Sequence, residues 1–286
     1  MILITDGGST KADWIALNNQ KEEAFRVRTL GLNPAVLSKK ELKNRISSAF
    51  QLMDVKEKVN EVYFYGAGCG TSKPAEILKN VMQEIFTNAK VVIAEDMLGA
   101  VYAVSAKKSA LVCILGTGSN SCYFDCEKMY IKASSLGYTV MDEASGNYFG
   151  KRLLRDYYYK VMPKNIREKF EIAYDLDVDI VKFNLYRKSN PNMYLASFAK
   201  FMFDFKDEEY IKKMIKKGFQ KFFKYRILSY NTSREIPIYF IGSIAHYFKD
   251  ILEKVAKKNK LKITGIVQRP IDKLIEFHKK TSINIC

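Results

Sequence analysis

Two short stretches of the chain carry the donors that a polyphosphate needs. Gly7-Gly8-Ser9-Thr10-Lys11 combines glycines, which let backbone N–H groups approach an anion, with two hydroxyls and an ammonium group. Gly116-Thr117-Gly118-Ser119-Asn120 offers a similar set about 110 residues later. Neither is a P-loop, because GxxxxGK[ST] is absent and the glycines turn a hairpin instead of leading into a helix. Taken singly, Gly7-Gly8 also reads as an ordinary hairpin turn; the second loop makes a shared anion site the better account. Asp6 ends the first strand and Asp96 ends a later one, where open α/β sheets bind their ligands. Either carboxylate could accept a proton from a substrate hydroxyl or orient magnesium. Asp96 also reads as the N-cap of the helix after it, and the two roles are compatible. Glu95 is a rival base, although strand alternation sends it to the opposite face. Asp142 and Glu143, in Asp142-Glu143-Ala144-Ser145-Gly146, are either an acidic first turn of a helix or a carboxylate pair for sugar hydroxyls. Asn33, in Gly31-Leu32-Asn33-Pro34, is either a turn residue or a ligand contact.

The elements that must position these residues are set by periodicity. Ile2 to Ile4 and Ala12 to Leu17 predict a β-hairpin, and Glu23 to Thr29 predicts a third strand. A helix is predicted from Ser38 to Met53, opened by the capping box of Ser38 and Glu41. A strand over Val59 to Tyr65 ends at Gly66-Ala67-Gly68-Cys69-Gly70. A helix over Pro74 to Phe86, a strand over Val91 to Ala94 and a helix over Met97 to Ala106 come next. That order is an α/β domain with a mixed sheet flanked by helices. It then begins again with Leu111 to Leu115 and Ser121 to Phe124, so two related domains are expected, 1–108 and 109–286, with a break near Lys107-Lys108-Ser109. The second domain carries a mostly helical region over about 160–235 after a helix from Ser145 to Val161. A late strand, Pro237 to Ile241, enters Gly242-Ser243, and Pro270 starts a closing helix. The closing stretch 270–286 belongs either to this second domain or to the first.

Composition bounds the function class. With 286 residues, 48% hydrophobic and 13% aromatic, the chain can bury two cores, which excludes collagen-like and globally disordered classes. Net charge is +16, from 47 Lys and Arg against 31 Asp and Glu. Lys212, Lys213, Lys216, Lys217, Lys221 and Lys224 read as spread all round one helical segment, so the charge is expected to solvate a surface. No nucleic-acid module is recognisable. No apolar run approaches the roughly 20 residues of a membrane helix. The opening segment lacks a basic signal region, and the expectation is a cytoplasmic protein away from membranes. The five cysteines are an odd, scattered set that predicts reduced thiols. Cys122 and Cys126 would need two further ligands to hold a metal.

Two phosphate hairpins, a strand-end aspartate between them and a late Gly-Ser loop together resemble the superfamily of actin, sugar kinases and heat-shock chaperone ATPases. Within it, DGGSTKADW, GLNP, YGAGCG, AEDMLGAVYA, LGTGSN, LGYTVMDEASG and IGSIA are similar to the N-acetylglucosamine kinase family. That family shares a fold with the BadF/BadG/BcrA/BcrD-type activator ATPases of acyl-CoA dehydratases and reductases. The likeness runs from residue 1 to about 150 and resumes near 237. It implies two ribonuclease-H-like, actin-like ATPase domains with the active site in the cleft between them, closing on magnesium-ATP and an amino sugar. On this sequence it makes Asp96 the general base and Asp6 the organiser of magnesium through water. Gly7, Gly8, Ser9, Thr10 and Lys11, with Gly116, Thr117 and Gly118, would hold the phosphates. Gly242, Ser243 and Ile244 would line the adenosine site. Asn33, Ser119, Asn120, Gly137, Tyr138 and Asp142 would contact the sugar, and a homodimer is implied. Family members usually carry Trp at the position of Tyr138 and Gly at that of Ala144, and smaller residues where Leu274, Ile275 and Phe277 stand. The expected activity is phosphorylation of N-acetylglucosamine or a related amino sugar to its 6-phosphate. The rival expectations are an activator ATPase working with a cysteine-held iron–sulfur cluster, and a sensor that binds nucleotide and sugar with little turnover.

Overall fold

A computed structural model describes residues 1–105 and 108–280; Ala106, Lys107 and Cys286, to which expectations were attached, lie outside the described residues. The chain divides into two compact units, Met1–Lys108 with Arg269–Cys286, and Ser109–Gln268. Each is built on a five-stranded mixed sheet.

In the first unit, β1 (Ile2–Gly7) and β2 (Lys11–Leu17) form an antiparallel hairpin that β3 (Glu23–Leu30) extends. The chain continues through α1 (Lys39–Ser47) and α2 (Phe50–Val55) to β4 (Glu61–Gly66), then through α3 (Ser72–Ile85) to β5 (Lys90–Glu95), and into α4 (Asp96–Ser105). β4 and β5 lie parallel to β1, giving the order β3-β2-β1-β4-β5. Strand alternation sorts the hairpin into two faces. Leu3, Ala12, Trp14 and Ala16 join the core under α1, α2 and α3. Ile4, Ile15 and Leu17 join the core under α4 and the closing helix. The Trp14 ring packs 6.4 Å from both Phe64 and Phe86, and its Nε1 donates to the Thr29 hydroxyl at 3.1 Å.

The single helix expected over Ser38 to Met53 is broken in the structure. Ser38 does cap α1 with the reciprocal bonds of a capping box, but Ala49 is extended (φ −89°, ψ 103°) and a new helix starts at Phe50. One straight helix would turn Val55 about 140° away from Leu42. The break lets Leu42, Ile46, Leu52 and Val55 enter one core.

The second unit repeats the plan. β6 (Ala110–Leu115) and β7 (Ser119–Phe124) form an antiparallel hairpin extended by the two-residue β8 (Met129–Tyr130). Helices α5 (Gly146–Tyr158), α6 (Lys164–Ala173), α7 (Val178–Tyr186), α8 (Pro191–Phe198), α9 (Phe201–Asp204) and α10 (Glu209–Phe222) come next. The chain then returns through β9 (Ile238–Ile241), α11 (Ser243–Tyr247), α12 (Lys249–Lys258) and β10 (Ile263–Val267). The order β10-β9-β6-β7-β8 is the first unit's order read from its other edge. Lysines do not encircle α10 as expected. Ile211, Met214, Ile215, Phe219 and Phe222 occupy its buried face, and the 3.6-residue period gathers the lysines on the other half. A π-helical turn, Phe223–Ile227, comes directly after it and buries Arg226.

The closing helix, α13 (Ile271–Lys280), packs in the first unit, where Leu274 and Ile275 join the core that holds Ile4 and Tyr65. Phe277 stacks on Tyr102 at 4.4 Å, and His278 Nε2 shares a 3.0 Å hydrogen bond with the Tyr65 hydroxyl. The bulky residues are therefore core residues. Burial, with a smaller push from the Lys21 ammonium, lowers the His278 pKa to about 4 from an ordinary 6.5. Between those values the unfolded chain binds a proton that the folded chain does not. The stability held above pH 6.5 is thus lost as pH falls toward 4. Thermal unfolding followed by circular dichroism should show the melting temperature of His278→Gln falling less steeply than that of the parent between pH 6.5 and 4.5; equal slopes would mean that His278 protonation does not govern this loss.

Candidate active site

The first glycine loop is braced from behind. Gly8 N–H donates to the Lys11 carbonyl at 2.8 Å, closing the hairpin tip, and Gly31 N–H donates to the Thr10 carbonyl at 3.1 Å. The Asn33 amide donates to Ser9 Oγ at 3.0 Å while its Oδ1 accepts from Ala35 N–H. Gly68, at φ +81°, lies so close that a Cβ there would stand 1.9 Å from that Oδ1. Asn33, expected as a sugar contact, thus spends its side chain on the shape of the loop. Gly7 belongs to β1 and is buried against the Phe64 ring, whereas Ser9 is half-buried and Thr10 and Lys11 are exposed.

Beneath this loop lies a set of carboxylates. Asp6 stands directly across from Asp13 in the β1–β2 register. Asp13 is buried, accepting from Arg28 Nε at 2.6 Å and ion-paired with the Arg269 guanidinium at 3.2 Å and the Lys11 ammonium at 3.9 Å. Asp96 is the first residue of α4, at the end of β5. That helix sits tightly on β4, since a Cβ on Gly99 would be 2.6 Å from the Tyr65 Cβ. Burial, then the Asp13 and Asp96 carboxylates, push the Asp6 carboxyl up to about 7, against the pull of Lys11 and Arg269. Burial and then Asp96 also raise Glu95. Cys69 is pushed to about 12 by burial and then by Asp96 and Glu95. Glu95 therefore shares an electrostatic neighbourhood with Asp96. Asp13 and Arg269 were missed from sequence, although an aspartate inside the apolar run Ala12 to Leu17, in register with Asp6, was a readable signal.

In the second unit the loop of residues 116–118 is held by the start of α5. Gly146 N–H donates to the Gly116 carbonyl at 2.8 Å and Asn147 N–H to the Thr117 carbonyl at 3.0 Å. Ser145 caps α5 by accepting from Tyr148 N–H. The acidic pair therefore precedes this helix and does not form its first turn. Asp142 (φ +69°) and Ala144 (φ +60°) are both left-handed, the conformation that explains a glycine preference at the second position. Asp142 is buried and accepts from Ser119 N–H at 3.3 Å. Burial raises its pKa, while Ser119, Asn147 and Arg226 pull it down. Ser119 Oγ donates to the Glu143 carbonyl at 2.8 Å. Asn120 Oδ1 accepts from Arg226 NH1 at 3.3 Å, and that guanidinium also reaches the Ala133 carbonyl and Met141 Sδ. Arg226, from the mostly helical region, thus ties the segment carrying Ser119 and Asn120 to the one that leads to Asp142. Gly137 has φ +78° with open space around it, and Tyr138 is half-buried, its carbonyl accepting from Lys151. Ile244 is packed into the core, so only its backbone can face a nucleotide, while Ser243 stays half-buried.

No protein-family profile and no curated protein matches the chain. Among solved structures, a candidate N-acetylglucosamine kinase from Porphyromonas gingivalis is 33% identical over 99% of this chain and 100% of its own, with a TM-score of 0.91. This chain belongs to the N-acetylglucosamine kinase-like family. A second candidate N-acetylglucosamine kinase, from Chromobacterium violaceum, covers 96% of the chain and 98% of its own at 13% identity and a TM-score of 0.76. A ROK-family glucokinase from Streptomyces griseus, solved with glucose and AMPPNP, covers 98% and 100% at 11% identity and 0.56. These two share the actin-like ATPase fold.

In this family member Gly242 is the tightest backbone constraint on the second loop. At φ +115° its N–H donates to the Val267 carbonyl, and a Cβ would stand 2.3 Å from the Leu115 carbonyl oxygen, at the root of the 116–118 hairpin. Gly242→Ala should destabilise the protein by more than about 2 kcal/mol in urea unfolding, since both the dihedral and the close approach oppose it. A loss below about 0.5 kcal/mol would mean that the loop has room to relax.

Proposed function

We propose that this chain is an ATP-dependent sugar kinase that transfers the γ-phosphoryl group of ATP to the 6-hydroxyl of N-acetylglucosamine or a related amino sugar. The carrying observation is the end-to-end likeness, at 33% identity, to the Porphyromonas gingivalis candidate kinase. The geometry supports it. Each unit presents a glycine and hydroxyl loop at the same point of the same sheet topology, and the first unit adds carboxylates at its strand ends.

In this reading Asp96 takes the proton of the sugar hydroxyl as that oxygen bonds to the γ-phosphorus and the bond to the ADP oxygen breaks. Such transfer rests on positioning and charge stabilisation, so one base and a set of donors suffice. Gly7, Gly8, Ser9, Thr10 and Lys11 hold phosphate oxygens from one unit, and Gly116, Thr117 and Gly118 from the other. Gly242, Ser243 and the Ile244 backbone meet the adenosine. Gly137, Tyr138 and Asn120 meet the sugar, while Asn33, Ser119 and Asp142 shape the loops around it and offer their remaining hydrogen-bonding capacity. Magnesium fits Asp6, a carboxyl that burial, and then the neighbouring Asp13 and Asp96 carboxylates, push up to about 7; a hydrated divalent cation on one or two carboxylates relieves such crowding. Bound there, the ion would neutralise phosphate charge. The activator-ATPase reading is less well served, because Cys69, Cys113 and Cys122 are buried and only Cys126 is exposed among the described cysteines. Among the described residues no helix is long and apolar enough to cross a membrane, and a cytoplasmic location without a nucleic-acid partner completes the proposal.

ADP release from ATP and magnesium, measured with N-acetylglucosamine, N-acetylmannosamine, glucosamine and glucose, should show turnover that depends on an N-acetylated acceptor. Silence across the panel with ATP bound would overturn the kinase reading. Asp96→Asn should lower turnover by about 10²–10⁴ with nucleotide affinity nearly intact. Turnover within a factor of a few of the parent would move the base elsewhere, with Glu95 the next residue to test.

A further inference from the structure

Between β8 and α5, residues 131–145 form no helix or strand. A stretch of that length inside a compact unit is commonly functional. Its internal hydrogen bonds are few: Val140 and Met141 N–H donate to the Gly137 carbonyl at 3.3 and 2.9 Å, and Ser145 N–H donates to the Asp142 carbonyl at 3.1 Å. Side chains from elsewhere in the second unit therefore set its place. Lys151 holds the Tyr138 carbonyl, and two residues four positions apart, Arg226 and Tyr230, hold the rest to β7.

Arg226 bonds to both β7 and the loop. Its NH1 donates to Asn120 Oδ1 at 3.3 Å and to the Ala133 carbonyl, its NH2 donates to Met141 Sδ at 3.5 Å, and its carbonyl accepts from Ser121 Oγ at 2.7 Å. Tyr230 repeats the pattern. Its hydroxyl accepts from Lys132 N–H at 3.1 Å and donates toward the Ser121 and Tyr130 carbonyls, at 3.1 and 3.2 Å. Arg226 is only 3% exposed, yet these partners of its guanidinium are neutral, and among the described residues no carboxylate forms an ion pair with it. A buried cation without a counter-ion costs free energy, and an apolar side chain in its place is often as stable or more so. Stability alone does not account for the arginine. Asn120 gives a further reason. Its Oδ1 accepts from Arg226 and from Ser121 N–H at 2.9 Å, which leaves its NH2 as the end of that side chain without a partner among the described residues.

We infer that Arg226 is a positioning residue for the sugar acceptor: it holds the loop of residues 131–145 in place and turns Asn120 so that its NH2 donates to the sugar, while touching no sugar atom itself. The inference rests on the kinase reading above and adds to it a residue that governs one substrate and spares the other. The 116–118 loop is braced by backbone groups of α5 and Gly242 instead, so the phosphate donors keep their support when Arg226 is lost. Without Arg226 the acceptor loop must be ordered by the sugar, and that ordering is subtracted from binding.

Steady-state kinetics of Arg226→Lys and Arg226→Ala, with ATP and N-acetylglucosamine each varied, test it. Lysine keeps the charge but lacks the planar fork that spans acceptors on two segments. Both variants should raise KM for the sugar about tenfold or more, with KM for ATP within about twofold of the parent. Hydrogen–deuterium exchange, which needs no turnover, should be faster over 131–141 in Arg226→Lys, with β6 and β9 protected as in the parent. If Arg226→Ala fails to fold, Arg226→Lys carries both measurements. A parent-like KM for the sugar, an equal rise in both KM values, or unchanged exchange over 131–141 would each overturn the inference while the kinase reading stands. A parent that turns over no sugar would overturn the kinase reading itself and the acceptor role with it, so the two failures are read from different samples.

Discussion

One carboxylate, Asp13, carries much of the first unit's organisation. It is buried between the Arg28 and Arg269 guanidinium groups, with the Lys11 ammonium alongside. A charge taken out of water needs partners, and removing one partner from such a set is strongly destabilising. The partners come from β3, from the chain that leads into α13 and from the hairpin loop itself, so a single electrostatic requirement fixes where three segments meet. It fixes the neighbourhood of Asp6 too, because the cross-strand register leaves the two carboxyls facing one another. The Asp13 carboxylate that adds to burial in raising Asp6 therefore belongs to the same arrangement that anchors α13.

The two units share a sheet order but brace their glycine loops by different means. In the first, a side-chain amide does the work, with Asn33 tied to Ser9 and seated on Gly68. In the second the braces are backbone groups, from the start of α5 and from Gly242. A loop held from its concealed side keeps its outward N–H groups and hydroxyls oriented before any ligand arrives, which lowers the ordering cost of binding. The second unit adds a buried cation, Arg226, behind Asn120 and Asp142, and so differs from the first in charge as well as in architecture.

Most strands, the repeated hairpin and the carboxylates at strand ends were legible because period-two alternation and glycine tips are local signals. β8 and β10 were not: one has two residues, and the other is interrupted at Gly265, where its register shifts. The break at Ala49 was hidden because Ser48 and Ala49 carry no helix-stopping side chain; tertiary burial of Leu52 and Val55 decided it. The candidate site was half visible. Glycines, hydroxyls and acids announce themselves by type, whereas Asp13, Arg269 and Arg226 acquire meaning only through partners distant in sequence. Several residues expected to touch sugar, Asn33, Ser119 and Asp142, proved to be engaged within the protein, a distinction that residue type cannot make.

The π-helical turn after α10 bears on how the family can vary in length. In that turn the chain carries one more residue per turn than the α-helix before it, and this widened geometry buries Arg226 and leaves Tyr225 and Leu228 outside. Each residue gained or lost in a helix rotates the downstream side chains by about 100° around its axis. A deletion within 223–225 would therefore carry the Arg226 guanidinium away from Asn120 and from the Ala133 carbonyl while leaving the helix before it intact. Insertions and deletions should be absorbed in the loops between the preceding helices, and this one turn should keep its length wherever the arginine is retained.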